Sequence, residues 1–133
     1  FFHLGMVRRK MEQDYAEELK RQIRIKAPST DTLCRQLSGG NQQKIVIGKW
    51  LNTNAKVFIF DEPTRGIDVG AKYEIYLLMN QLVRDGKSII MISSEMPEVL
   101  EMSDRVLVVN KGKITADLTG NDKNAQTVME YAI

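Results

Sequence analysis

The sequence predicts an α/β fold with a mostly parallel sheet. Short apolar runs at Lys56–Phe60 and Ser88–Ile92, amphipathic helical stretches between them, and glycines that open or stop those helices carry the prediction. The 133 residues, 43% hydrophobic and 27% charged, suffice for one domain with a modest core. A net charge of +2, from 19 basic and 17 acidic residues, is too near balance to argue for nucleic acid. Cys34 is the single cysteine, which excludes an internal disulfide and any multi-cysteine metal site; it reads as a small buried or half-buried residue. The longest apolar stretches fall far short of the roughly 18 residues that span a bilayer, so if a membrane is involved another chain must cross it. Phe1–Met6 lacks the basic-then-apolar order of a signal peptide and reads as a chain cut from something longer.

Each element has its own justification. Met11–Ile25 is charge-rich, with Tyr15, Leu19 and Ile23 spaced by four, which predicts a surface helix with one narrow apolar stripe. Basic residues at 8–10, 20, 21 and 24 interleave with Glu12, Asp14, Glu17 and Glu18, the pattern of a solvated helix face rather than a nucleic-acid patch. Ala27-Pro28-Ser29-Thr30-Asp31 breaks that helix, because proline disfavours helical backbone at the preceding residue. Asn41–Asn52 is the next helix, its start at Ser38-Gly39-Gly40, with Trp50 expected to anchor it to the core. Lys56–Phe60 reads as a strand buried on both faces. Val69–Val83 carries Ile75, Leu78, Met79 and Leu82 at helical spacing, with Asp68 as N-cap and Gly86 at the stop.

Ser88–Ile92 reads as a second buried strand, and Met96–Met102 as a short helix with Pro97 in its first turn. Arg105–Asn110 and Lys113–Asp117 form a hairpin around Lys111-Gly112, and a last helix covers Ala125–Ala132. Met79, Met91 and Met129 fall at apolar positions and read as core. His3, the only histidine, is given no role.

Chemistry concentrates at two places. In Leu37-Ser38-Gly39-Gly40-Asn41-Gln42-Gln43-Lys44, two glycines let backbone N–H groups approach phosphate oxygens, and the following helix points its positive end the same way. In Val57-Phe58-Ile59-Phe60-Asp61-Glu62, two carboxylates emerge at the C-terminal end of a strand, where open α/β sheets place ligands. Asp61 can hold Mg²⁺ directly or through water, and Glu62 can polarise a water that attacks a terminal phosphate. Taken alone, the acid pair is as well read as a solvated loop before the Pro63 turn.

With Asp68 and Ser93-Ser94-Glu95 added in order, the set resembles the ATPase cassette of ABC transporters, a P-loop NTPase-like (RecA-like) core with a helical signature subdomain. Leu37–Gln42 is similar to that family's signature loop, Val57–Glu62 to its Walker B strand, Thr64–Asp68 to its D-loop, and Ser93–Glu95 to its switch loop. Asn41–Lys44, Glu62–Gly70 and Ile92–Glu98 are similar to the second cassette of the tandem ATPases of monosaccharide import, of ribose, galactose and xylose type. The resemblance implies residues 1–54 as helical subdomain with signature loop, and residues 55–133 as the C-terminal part of the ATPase core. The family's Walker A strand and Gly-Lys-Ser/Thr loop do not occur in the sequence, so the stretch alone is expected to bind ATP weakly and to hydrolyse none.

In the family, two cassettes close head to tail over ATP and Mg²⁺. The resemblance therefore implies that Ser38, Gly39, Gly40 and Gln42 complete the companion cassette's site, with Asp68 among the nucleotide-contacting residues. Asp61 as metal ligand, and Glu62 and Ser94 as catalytic residues, would serve this cassette's own site. The family's switch histidine is Ser94 here, which has no charge state to change near neutral pH and points to slower turnover. The implied partners are the companion cassette, membrane permease subunits and, indirectly, an external sugar-binding protein, at the cytoplasmic face of the membrane. No nucleic acid is expected, and unpaired sheet edges predict self-association of the fragment. A non-transport ATPase acting on ribosomes or DNA, and a non-catalytic interaction module, stand as alternatives.

Overall fold

The computed structural model describes the backbone of residues 2–3 and 6–133, and side chains from Arg8 onward; the side chain of His3 lies outside the described residues. Two compact units divide the chain, Phe1–Phe58 with Thr64–Ser88, and Ile59–Pro63 with Ile89–Ile133.

The first unit is mainly helical. β1 (Phe2–His3) and β2 (Met6–Val7) pair antiparallel ahead of α1 (Arg9–Gln22). No residue of α1 is buried; Ile23, just past its end, is the first buried apolar side chain among the described residues, as its narrow stripe predicts. After the Pro28 break a 3-10 turn, Cys34–Gln36, leads to α2 (Gly39–Leu51), which starts two residues earlier than its apolar pattern suggests. α2 buries Gly40, Lys44, Ile47 and Gly48, and α3 (Val69–Arg84) buries Ile75, Met79 and Leu82. Asp68 caps α3 by accepting the Ala71 N–H at 3.0 Å, and Gly86 follows its end with φ of +79°.

β3 (Val57–Asp61) and β4 (Ser88–Ile92) pair with each other. The flanking bonds, Ser88 N–H to the Lys56 carbonyl and Glu62 N–H to the Ile92 carbonyl, advance along both strands in the same direction, so the pair is parallel.

α4 (Met96–Met102), β5 (Arg105–Asn110), β6 (Lys113–Thr119) and α5 (Ala125–Ala132) build the core of the second unit. β5 and β6 join through the two-residue turn Lys111-Gly112, both at positive φ, the conformation whose twist matches a hairpin. One hairpin face buries Val106, Val108 and Leu118 against Val128 of α5, with Met96, Val99 and Leu100 beside them. The other face is exposed and carries the Arg105–Asp117 ion pair at 2.6 Å.

The structure corrects four burial expectations. β3 and β4 are covered on one face only: Val57, Ile59, Ile90 and Ile92 are all more than half exposed, while Phe58 is buried. Strand alternation sends these four to one side, and nothing among the described residues covers it. Trp50 is exposed, because Gly40, Lys44, Ile47 and Gly48 set the buried stripe of α2 and position 50 falls off it; Lys49 Nζ sits 5.7 Å from its ring instead. Met129 is exposed because Val128, its neighbour, takes the inward position of α5, and Met91 is only half-buried. Cys34 is exposed: it opens the 3-10 turn with its carbonyl bonded to the Leu37 N–H, and its side chain faces solvent.

Candidate functional site

In the second unit, β3 ends at Asp61 and delivers Glu62 into the first position beyond the strand. Glu62 has φ of +49°, a left-handed backbone uncommon for a residue with a Cβ and costing about 1–3 kcal/mol where a site retains it. Its N–H is bonded to the Ile92 carbonyl at 2.9 Å, so β4 fixes the backbone of the strained residue. The side chain meets Ser94: the Ser94 hydroxyl donates to Glu62 Oε2 at 3.2 Å. Pro63, which follows, is fully buried.

The loop bearing Ser94 is itself anchored. Ser93 donates its hydroxyl to the buried carboxylate of Glu98 and accepts the Glu95 N–H at 3.0 Å. Thus Ser93 fastens the loop to α4 and Ser94, one residue on, reaches Glu62. Asp61 is exposed beside them. The structure brings Glu62 and Ser94 together, across 32 residues of sequence, with Asp61 adjacent.

In the first unit, Ser38 stands at the N-cap of α2 and its carbonyl accepts the Gln42 N–H at 2.9 Å, but its side chain makes no capping bond. Gln42 Nε2 donates to the Leu37 carbonyl at 2.8 Å, so this amide is engaged within the loop. Gly39 is exposed, whereas Gly40 is buried: a Cβ there would stand 2.4 Å from the Cβ of Ala71, so the first turn of α2 is pressed against that of α3. Gly40 is therefore glycine for packing as well as for any approach to phosphate. Asp68 uses its carboxylate on the Ala71 N–H, in the same first turn of α3.

Sequence reasoning missed the group that joins α2 to α3. Lys44, given no buried partner by the sequence pattern, is 1% exposed. Its ammonium donates to the Arg24 carbonyl at 2.9 Å and to Glu74 Oε2 at 2.5 Å, while Lys26 Nζ lies 3.4 Å from the other Glu74 oxygen. The Lys44 hydrogen bond holds the Glu74 carboxyl below its ordinary range, assisted by charge from Lys44 and Lys26 and opposed by partial desolvation. A lysine two residues past the signature loop was the available signal, but its partner lies 30 residues away.

Asp61 and Glu62 lie in one unit and the glycine loop with Asp68 in the other. No group of three or more His, Cys, Asp or Glu side chains that could hold a metal occurs among the described residues. No helix among them is long and apolar enough to cross a membrane.

A strand–helix alternation with a glycine loop opening α2 and an acidic pair ending β3 is the arrangement of an ATP-binding cassette. The structure matches a solved ATP-binding cassette of an ABC transporter with a TM-score of 0.77 and 25% identity, over 100% of this chain and 53% of that one. The sequence pattern of the ABC transporter family matches residues 3–65. The chain is 57% identical over 96% of its length to the ribose import ATP-binding protein RbsA of Hahella chejuensis, covering 26% of that protein. It is 49% identical over 92% of its length to the xylose import ATP-binding protein XylG of Geobacillus kaustophilus, covering 24% of it. The chain is thus similar to ATP-binding proteins of ABC transporters, and it spans about a quarter of the length of the curated relatives it matches.

Proposed function

We propose that this chain is part of the second nucleotide-binding cassette of a tandem sugar-import ATPase, and that it couples MgATP hydrolysis to the opening and closing of a membrane permease. The observation that carries the reading is Glu62: an acid held at positive φ on a strand end, its N–H tied to β4 and its carboxylate met by Ser94. The import proteins similar to this chain supply the substrate class, a monosaccharide. We retain residues 1–54 as helical subdomain and 55–133 as part of the ATPase core.

One or two carboxylates without an all-protein cage suit Mg²⁺, which keeps several waters and completes its shell with substrate phosphates. Asp61 would hold that ion, which neutralises charge on the phosphates. Glu62 accepts a hydrogen bond from the attacking water and aligns it with the γ-phosphate, and Ser94 holds the Glu62 carboxylate in place. Ser38, Gly39, Gly40 and Gln42 close over the ATP of the companion cassette, with Asp68 at the nucleotide-facing end of α3. Partners follow from this reading: the companion cassette, permease subunits and an external sugar-binding protein, with this chain peripheral to the membrane on its cytoplasmic side. The reading as an ATPase of ribosomes or DNA is not favoured by relatives that are import proteins.

The test is ATP hydrolysis by the intact protein with Glu62→Gln. Losing the water-orienting carboxylate lowers this cassette's turnover by about 10²-fold or more. Unchanged hydrolysis and sugar transport would remove Glu62 from the mechanism.

A further inference from the structure

We propose that Asn41 is a positioning residue that turns the Ser38 hydroxyl proton outward, as a hydrogen-bond donor toward a phosphate oxygen. The inference rests on the reading that the signature loop receives a nucleotide, and it concerns how that loop is oriented.

The main-chain N–H of Lys26 can only donate, and it donates to Asn41 Oδ1 at 2.8 Å. That bond fixes which end of the Asn41 amide is oxygen. The other end, Nδ2, lies 2.8 Å from Ser38 Oγ and can only donate. Ser38 Oγ is therefore the acceptor along that line, and its single proton must point elsewhere.

Two further features leave that proton available. Ser38 is exposed and makes no side-chain cap on α2, the usual occupation of a serine at a helix start. Gln42, which could otherwise reach back to the same oxygen, spends its Nε2 on the Leu37 carbonyl. Asn41 thus occupies the acceptor side of the hydroxyl, and the donor side faces outward with the first N–H groups of α2. A phosphate oxygen is the ligand atom that accepts from both.

The polarity makes an unusual prediction about substitutions at position 41. In Asn41→Asp, one carboxylate oxygen still accepts the Lys26 N–H, while the other accepts the Ser38 hydroxyl. The proton is then drawn inward and the nucleotide loses its donor. Asn41→Ala merely lets the hydroxyl rotate.

The test measures kcat and KM for ATP in the intact protein carrying Ser38→Ala, Asn41→Ala, Asn41→Asp and the two double substitutions. Ser38→Ala is expected to lower kcat/KM about tenfold, the worth of one hydrogen bond to a charged group. Asn41→Asp is expected to match or exceed that loss and Asn41→Ala to cost about two- to threefold, with both effects largely gone in the Ser38→Ala background. Equal losses from Asn41→Asp with and without the Ser38 hydroxyl would mean charge repulsion alone and overturn the proposal, as would an Asn41→Asp protein that behaves like the wild type. If Asn41→Asp does not fold, the Asn41→Ala cycle decides: an effect that persists without the hydroxyl contradicts the proposal. A Ser38→Ala protein with unchanged kinetics instead overturns the nucleotide-contact reading itself.

Discussion

Around Ser38, neighbouring side chains are committed to fixed partners: Asn41 to Lys26 and Ser38, Gln42 to Leu37, and Lys44 to Arg24 and Glu74. Around Glu62, the described side-chain bond is that from Ser94 at 3.2 Å, and strain and a main-chain bond to Ile92 define the rest. The difference suits the proposed roles. A loop that only binds phosphate gains from donors fixed in direction before the ligand arrives, because no reorganisation is then required. A carboxylate that orients water must exchange partners, so the backbone is fixed and the side chain held lightly.

The two units also differ inside: in one, α2 and α3 add an ion pair between the buried Lys44 and the half-buried Glu74 to their buried apolar side chains, whereas in the other an apolar cluster lies under the hairpin. The sharpest way to break the second is Leu118→Ala, expected to cost about 2–5 kcal/mol and to do so equally across pH and salt. Amide hydrogen exchange in peptides covering residues 105–132 of the intact protein measures it. In the first unit Glu74→Gln leaves the buried Lys44 ammonium with neutral acceptors and no counter-charge from position 74, a loss of about 2–3 kcal/mol near neutral pH, read in peptides covering 39–51 and 69–84.

The pH dependence separates the two. Because the Glu74 carboxyl is held below its ordinary value of 4.5 in the folded state, its contribution is complete above that value and is lost as pH falls through the lowered one. The gap between wild type and Glu74→Gln should therefore be constant from neutral pH down to about 4.5 and shrink below it. A gap that widens in acid would contradict the assignment of Glu74 as the ionised partner. The Arg105–Asp117 pair also lowers an acid's pKa, but both groups are solvated, and little stability is expected from it.

Local chemistry made much of this legible in the sequence. Asp68 declared the start of α3, Gly86 its end, Pro97 the first turn of α4, and Lys111-Gly112 the hairpin turn, because each acts within a few residues of itself. The glycine loop and the acid pair were legible as residue sets. Long-range pairing was not. Nothing near Lys44 in the sequence announces Glu74 of α3, and nothing near Asn41 announces the Lys26 main-chain N–H that it accepts. The positive φ of Glu62 carries no sequence signal, since no glycine or asparagine stands there. Faces of apolar strands were misread because β-branched residues report strand, whereas burial depends on what is packed against each side.

In the proposed reading, Ser38 and Glu62 serve two different ATP molecules. Counting tightly bound nucleotide per intact protein, with ATP and ADP distinguished, tests it most directly. Glu62→Gln should retain both nucleotides with one left unhydrolysed, Ser38→Ala should weaken the other, and the double substitution should show both changes independently. Loss of the same single nucleotide from either substitution would contradict the claim.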